Sequence, residues 1–268
     1  MKKAEFDVVA PSYDSTFTDS SVGRLQRAQV YSHLEPILKT LNGTKILELG
    51  CGTGEDAIWL AQKQFSVIAI DPSAEMIKIA KLKTENAGLE SYITYHQLSI
   101  ETLDQLPEGF RFDLIFSDFG PLNCVDPDLF PTLAKSIYGR LEPSGHFIGV
   151  MMNRFCLWES LYFMLKGNLK KVFRRMQKPG IRVPIGNGGA VDTWYHDAPG
   201  FYNYFRPYFK MQGVKPIGFF VPPSYMSKMF EPNKLTWLNH LAALDRHNPI
   251  SRMCSLASDH FFIHLTKK

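Results

Sequence analysis

Three glycines alternate with other residues directly after an apolar stretch, and two carboxylates stand near them in the sequence. The glycines are Gly50, Gly52 and Gly54. Glu48 stands two residues before the first of them, and Asp71 follows the loop after roughly 20 residues, the spacing typical of a ribose-binding acid. Glycines allow the backbone to approach a ligand closely and leave helix N–H groups pointing at it. These features predict a site for an adenosine-containing ligand.

The glycine spacing separates the candidate ligands. A dinucleotide-binding loop has the pattern G-x-G-x-x-G, whereas this loop has G-x-G-x-G with Glu48 just before it. A carboxylate at that position would repel a pyrophosphate. It would stabilise a ligand that carries an ammonium group and a sulfonium charge, as S-adenosylmethionine does.

The stretch 46–54 resembles the first motif of class I S-adenosylmethionine-dependent methyltransferases, and Asp71 with residues 72–76 is similar to the family's second motif. The resemblance covers residues 6–152 well and the C-terminal strands loosely. It implies a Rossmann-like fold and S-adenosylmethionine as the cofactor. It also implies that Asp71 holds the ribose and that five residues line the methionine part of the cofactor: Glu48, Gly50, Cys51, Gly52 and Gly54.

The same resemblance implies contacts with the adenine and with the region near the sulfonium. The adenine contacts would be Pro72, Met76, Ser99, Ile100 and Glu101. Ser117 and Phe119 would close the site near the sulfonium, and Tyr13 is similar to a tyrosine that covers the cofactor in small-molecule members. Ser99 departs from the family pattern, in which an acidic residue is common at that position.

Apolar stretches of strand length alternate with amphipathic stretches of helix length in the first part of the chain. Strands are predicted at 45–49, 66–70, 91–96, 112–117 and 145–152, and helices at 22–41, 55–64, 74–85 and 126–141. This alternation predicts an α/β fold with a doubly wound, parallel sheet. Two further strands, 214–221 and 260–266, with a helix at 234–246 between them, would complete a Rossmann-like, mostly parallel sheet of seven strands.

Residues 153–213 interrupt the alternation because they are aromatic, basic and punctuated by prolines. We expect them to form a helical and aromatic cap inserted into a single methyltransferase domain that spans residues 1–268. Within the cap, leucines at helical spacing alternate with Lys and Arg, and no Asp or Glu lies between Ser160 and Val191. The basic segment 166–182 is therefore either a solvated cap face or a contact for an anionic substrate or carrier protein, for a membrane surface that carries a lipid-like substrate, or for nucleic acid.

The chemistry needs little from the protein besides positioning and, for some acceptors, a base, because a sulfonium is an activated methyl donor. No metal is required. His196 is the first candidate for the base and Tyr195 the second, with Asp118 and His240 as weaker substitutes; a purely structural, hydrogen-bonded role for His196 is the alternative. Residues 117–121 lack the motif of amino-methylating nucleic-acid enzymes, so we expect an oxygen or carbon nucleophile on an aromatic or lipid-like acceptor, for which the basic segment would also suit an acidic group.

Composition sets the remaining expectations. The net charge of +4 is modest, so a nucleic-acid partner is not expected. The four cysteines are widely spaced and the first residues lack the apolar core of a secretory signal, which indicates the cytoplasm. Two alternative functions stay open: a noncatalytic adenosyl-binding scaffold and a nicotinamide-dependent oxidoreductase.

Overall fold

The computed structural model describes residues 4–177, 180–223, 226, 235–246 and 251–268. The strands are β1 Lys45–Leu49, β2 Ser66–Asp71, β3 Ile93–Gln97, β4 Phe112–Ser117, β5 Leu141–Met152, β6 Ile181–Gly186, β7 Gly189–Thr193, β8 Phe209–Ile217 and β9 His260–Lys267. The helices are α1 Ala10–Tyr13, α2 Ser21–Leu38, α3 Glu55–Gln62, α4 Ala74–Asn86, α5 Phe130–Arg140, α6 Leu157–Leu165, α7 Leu169–Val172, α8 Ala198–Phe205, α9 Leu235–Arg246 and α10 Ser251–Cys254.

Seven strands form one sheet in the order β3-β2-β1-β4-β5-β9-β8. Strands β1 to β5 are parallel, whereas β9 runs antiparallel to both β5 and β8. The predicted Rossmann-like, mostly parallel, seven-stranded sheet is confirmed. The strand order reverses between β1 and β4, and ligands of such sheets bind at the carboxyl ends of the strands beside this point.

Helices cover both faces of the sheet, and alternate residues of the strands pack on opposite sides. In β1, Ile46 packs with α2 and α3, whereas Leu47 and Leu49 pack on the other face, where α5 and α8 lie. Glu48 therefore faces the α2 and α3 side of the sheet. Buried residues surround this carboxylate, which is 1 % exposed.

The predicted cap contains two different kinds of structure. Residues 157–176 form α6, α7 and a short 3-10 turn, and β6 and β7 form an antiparallel hairpin. The last part belongs to the main fold, because α8 packs its Phe201 and Phe205 against the sheet core and β8 begins at Phe209. The predicted strand 214–221 thus starts five residues earlier than expected. That the whole chain forms a single domain stays a prediction.

Local signals explain these element boundaries. Helix α2 begins after Ser20, whose hydroxyl accepts a hydrogen bond from Gly23 N at 3.0 Å. Helix α8 begins after Asp197, which accepts one from Gly200 N at 2.7 Å.

Lys178 and Lys234, at the ends of two predicted segments, lie outside the described residues. In the part of the chain that the structure describes, every helix is too short or too polar to cross a membrane.

Candidate functional site

The glycine loop turns sharply at the end of β1. Gly50 N and Cys51 N both donate to the Ile70 carbonyl, at 2.8 and 3.0 Å, which ties the loop to the end of β2. Gly50 has φ +74°, and a Cβ on it would lie 2.3 Å from the Pro121 Cβ. Gly52 has φ +51°, but a Cβ on it would meet nothing within 4 Å. The first glycine is therefore required by packing, whereas the second borders open space in which a ligand fits.

Asp71 connects the glycine loop with the loop after β2. Its carboxylate accepts hydrogen bonds from Gly52 N at 2.9 Å and from Ser73 N at 2.8 Å. Burial raises the pKa of Asp71 to about 6, although the two backbone hydrogen bonds oppose this shift. Each carboxylate oxygen accepts one backbone bond and has a further lone pair, so Asp71 can also accept the two hydroxyls of a ribose.

A buried group of acidic residues lies on the α2 side of the glycine loop. Arg27 Nη1 is 2.5 Å from Asp56 and 3.9 Å from Asp118. Glu48 is the third carboxyl group here. Its pKa lies well above the usual range, mainly because the side chain is buried and secondly because Asp56 is near. Burial, followed by Asp56, also raises the pKa of Asp118. Among the described residues, Glu48 Oε2 and Asp118 Oδ2 have no hydrogen-bond partner.

Among the described residues, this group contains more carboxyl groups than cations. Three carboxyl groups, those of Glu48, Asp56 and Asp118, share the single guanidinium of Arg27, and two carboxylate oxygens are buried without a donor. Buried carboxylates are stabilised by cations or donors, and a ligand can supply either. The electrostatics of the site therefore suit a cationic ligand and oppose a pyrophosphate.

The N-terminal segment, residues 4–18, crosses the carboxyl edge of the sheet above these loops. Its Asp7 accepts a hydrogen bond from the Ser73 hydroxyl at 2.6 Å, and its Asp14 accepts one from Thr53 at 2.6 Å. Between these contacts, Val9 and Ala10 bury Met76 to 2 % exposure. The segment thus covers the region in which the adenine was predicted.

The β6–β7 hairpin rests on the N-terminal segment. The Asn187 side chain donates to the Val8 carbonyl at 2.9 Å, and Arg182 pairs with Glu5 at 3.0 Å. The hairpin therefore closes over the same side of the molecule as the cofactor loops.

An aromatic row extends from the N-terminal segment to β9. The ring centroids of Tyr13 and Phe17 are 5.6 Å apart, those of Phe17 and Phe119 are 5.2 Å apart, and those of Phe119 and His260 are 5.3 Å apart. The Arg27 guanidinium lies 5.1 Å from the centre of the Phe119 ring. Tyr13 and Phe119 thus both contact the ring of Phe17, and Phe119 also lies beside Arg27 of the acidic group.

The remaining predicted contacts range from buried to exposed positions. The Ser117 hydroxyl donates to the Leu49 carbonyl at 3.0 Å and holds β4 to β1, so its proton is already used. Ile100 is buried in the core beneath the glycine loop. The Ser99 hydroxyl donates to the Glu101 carboxylate, and Pro72 is exposed. Their contacts with an adenine stay predictions.

The two predicted bases contact residues that are not among the predicted cofactor contacts. His196 packs its ring edge against Phe130 at 5.2 Å, and burial lowers its pKa to about 4. Tyr195 lies on the other side, with its ring 5.2 Å from the guanidinium carbon of Arg175, and burial raises its pKa. His196 lines a groove of about 700 Å³ together with Arg154. No predicted cofactor residue lines this groove, so a catalytic role for His196 or Tyr195 remains untested.

A histidine that the sequence did not single out lies closer to the cofactor loops. His260 begins β9 and pairs with Met152 at the carboxyl end of β5. Its Nδ1 is 3.3 Å from Asp259 Oδ2, at ion-pair distance without hydrogen-bond geometry. Burial opposes ionisation of Asp259, but His260 and Arg175 outweigh it and hold its pKa well below the usual range. His260 thus places an imidazole beside a carboxylate at this edge of the sheet, and an imidazole is the side chain most often used in acid–base catalysis.

Comparisons with known proteins agree with this geometry. Residues 46–145 match the family model of a methyltransferase domain. The chain contains a class I S-adenosylmethionine-dependent methyltransferase domain. The matched residues of this methyltransferase domain include the glycine loop, Asp71 and Phe119, and the family's cofactor is S-adenosylmethionine.

Relatives of the methyltransferase domain include enzymes named for quinone biosynthesis. The chain is 31% identical over 115 residues to the ubiquinone/menaquinone biosynthesis C-methyltransferase UbiE of Edwardsiella ictaluri, covering 42% of this chain and 44% of the relative. It is 29% identical over 130 residues to the ubiquinone biosynthesis O-methyltransferase of Bradyrhizobium diazoefficiens, covering 48% of this chain and 47% of the relative. The chain thus spans less than half the length of these curated relatives.

A solved structure extends the similarity in fold over most of the chain. An S-adenosylmethionine-dependent methyltransferase from Mesorhizobium loti superimposes with a TM-score of 0.57 at 20% identity, covering 90% of this chain and 99% of that chain. At this identity the similarity shows the fold.

The residues present fit S-adenosylmethionine. Glu48, with its partnerless Oε2, would hold the ammonium group, Asp71 would hold the ribose hydroxyls, and the open space at Gly52 admits the chain between them. When bound, the cofactor supplies a methyl group activated by a sulfonium. Among the described residues, no group of three or more His, Cys, Asp or Glu could hold a metal ion.

Proposed function

We propose that the protein transfers a methyl group from S-adenosylmethionine to an oxygen or carbon nucleophile of a small aromatic or lipid-like acceptor. The observation that carries this proposal is the buried acidic group around Glu48, which has more carboxyl groups than cations, beside the aromatic row that ends at His260. The acidic group suits the positive charges of the cofactor. The aromatic row suits a planar acceptor.

Two further observations support the acceptor class. The Arg27 guanidinium over Phe119 and the ring of His260 form a face that is apolar but contains nitrogen donors, which suits a ring with hydroxyl groups. The two relatives described above are named as quinone-biosynthesis enzymes, one a C-methyltransferase and the other an O-methyltransferase. We therefore propose hydroquinone-like or phenolic acceptors. The four cysteines are free, which supports the cytoplasm as the compartment.

The first test is calorimetric titration with S-adenosylmethionine, S-adenosylhomocysteine and NADH. Binding of the two sulfur nucleosides without binding of NADH supports the proposal, whereas binding of NADH alone would favour the oxidoreductase alternative.

The second test is turnover. The purified protein is incubated with S-adenosylmethionine and a panel of catechols, hydroquinones and phenols with and without isoprenoid tails, and S-adenosylhomocysteine is measured by mass spectrometry. Primary amines and transfer RNA serve as comparison acceptors. Bound cofactor that stays intact with every acceptor, including a cell extract, would favour the noncatalytic scaffold.

A further inference from the structure

The insertion exposes apolar side chains that the methyltransferase site does not use. In the segment formed by α6, α7 and the following turn, residues 157–176, six large side chains are between 40 and 85 % exposed: Leu161, Met164, Leu165, Leu169, Phe173 and Met176. The two most exposed, Leu165 and Leu169, flank the turn between the helices. Monomeric proteins rarely expose apolar residues so densely without an interaction partner.

Lysines lie among these apolar residues. Lys166, Lys170 and Lys171 are exposed, and the ammonium groups of Lys166 and Lys171 lie over the rings of Tyr162 and Phe163, at 5.0 and 5.6 Å. Since no acidic residue occurs between positions 160 and 191, the charge of this surface is positive throughout. Its partner must therefore combine an apolar layer with negative charge.

Buried ion pairs hold the segment on the core. Arg174 donates to both carboxylate oxygens of Glu159, at 2.5 and 3.0 Å. Arg175 pairs with Glu159 at 3.0 Å and with Asp259 at 2.8 Å. These arginines fix the segment and are unavailable to a partner, so the lysines alone supply the free positive charge that the argument needs.

We propose that α6, α7 and the turn between them dock on a membrane surface that contains anionic lipids. The apolar side chains at the turn enter the headgroup layer, and the lysines contact lipid phosphates. Docking of a second copy is disfavoured, because a symmetric contact would bring the lysines of both copies together. A helix-binding protein would need one long apolar face, whereas these residues belong to two short helices and a turn. The proposal goes beyond methyl transfer and does not depend on the acceptor.

Flotation of the protein with vesicles tests the proposal. The wild type is mixed with vesicles of phosphatidylcholine alone or of equal parts phosphatidylglycerol and phosphatidylcholine. We expect binding to the anionic vesicles only, weakened by salt. Absence of binding to anionic vesicles, or equal binding to both kinds, would overturn the proposal.

Two sets of variants assign the binding to this surface. The apolar variant combines Leu165→Ser, Leu169→Ser and Phe173→Ser. Its control makes the same exchanges at exposed residues elsewhere: Leu82→Ser, Leu129→Ser and Phe110→Ser. We expect the apolar variant to bind anionic vesicles at least about 10-fold more weakly, with the control unchanged.

The charge variant combines Lys166→Glu, Lys170→Glu and Lys171→Glu. Its control has the same net charge: Lys39→Glu, Lys81→Glu and Lys135→Glu. We expect at least about 100-fold weaker binding for the charge variant and a much smaller loss for the control, since each lysine near the surface contributes roughly five-fold.

Two controls separate the possible outcomes. Calorimetric binding of S-adenosylmethionine by every variant shows that the fold is intact and tests the proposed function independently of the vesicles. Sedimentation velocity without lipid tests self-association: a dimer that the apolar variant abolishes would overturn membrane docking and assign the surface to a second copy.

Discussion

Glu48→Gln tests the electrostatic argument for the cofactor. The exchange keeps the shape of the side chain and removes its negative charge, in a position that is 1 % exposed. At about 5 Å and an effective dielectric constant of about 20, a charge pair contributes about 3 kcal/mol. The raised pKa of Glu48 means that part of the charge attraction is spent on releasing its proton when the ligand binds. We therefore expect Glu48→Gln to lose about 2 to 3 kcal/mol of binding free energy, which corresponds to a Kd for S-adenosylmethionine about 30- to 150-fold higher.

A neutral ligand makes this test specific. 5′-Methylthioadenosine keeps the adenine and the ribose but has neither the ammonium nor the sulfonium charge. Its Kd, measured by calorimetry at the same pH, is expected to stay unchanged in Glu48→Gln. The matched control is Glu85→Gln on the exposed face of α4, which should leave both affinities unchanged.

The stability of the ligand-free protein provides a second readout. The pKa of Glu48 is raised in the folded state, so this residue favours folding below its unfolded pKa and disfavours it as pH rises through the folded pKa. At neutral pH, Glu48→Gln should therefore raise Tm, by about 2 to 4 °C for each kcal/mol gained. Wild-type affinity for S-adenosylmethionine in the variant, or an equal loss for 5′-methylthioadenosine, would refute the reasoning.

Three further predictions concern the same loops and the anchor of the insertion. Asp71→Asn should weaken both S-adenosylmethionine and 5′-methylthioadenosine by about 1 to 3 kcal/mol, and should abolish the wild-type loss of affinity as pH falls through about 6; calorimetry between pH 5 and 8 would contradict this if the pH profiles coincided. Gly50→Ala should lower Tm because its Cβ overlaps a proline ring, whereas Gly52→Ala should mainly raise the Kd of the cofactor; equal effects on Tm would argue against the different roles of the two glycines. Arg175→Met should destabilise the protein by about 3 to 5 kcal/mol in urea denaturation, since it leaves two carboxylates buried without this partner, whereas exposed Arg24→Met should change stability little.

The cofactor loops could be predicted from the sequence because their signals are local. The glycines, Glu48 and Asp71 lie within one strand-loop-helix-strand unit, and the Gly52–Asp71 hydrogen bond joins residues only 19 positions apart. Propensity and spacing are sufficient for such a unit. The strands of the sheet could be predicted for the same reason, since each is a short apolar stretch bounded by turn residues.

The partners of these loops could not be predicted, because they come from distant parts of the chain. Arg27 reaches Asp56 across 29 positions and Arg175 reaches Asp259 across 84. His260 belongs to a strand that is antiparallel to its neighbours, and its position beside Phe119 depends on the order of strands in the sheet. No spacing in the sequence indicates these contacts.

The C-terminal boundary of the insertion was not predicted correctly, because the aromatic composition of the predicted cap continues through α8, which packs on the sheet. Phe201 and Phe205 fall within the predicted aromatic cap, but they are core residues of α8: Phe201 meets Phe130 edge to face, and Phe205 stacks on Phe147. The signal that could have revealed this helix is Asp197 before a proline, a typical helix start. His196, two residues before this helix, likewise packs against Phe130 of the core.

The contact between the β6–β7 hairpin and the N-terminal segment links cofactor exchange to the insertion. A nucleoside in the predicted site would lie under residues 4–18, and we expect it to leave only after this segment moves away from Asn187 and Arg182, which contact it. Both contacts are exposed and therefore weak, so the two parts can separate readily without disturbing the sheet. We therefore expect residues about 180 positions apart in the chain to set the rate of cofactor exchange together, so that changes in the hairpin alter this rate while the binding residues stay the same.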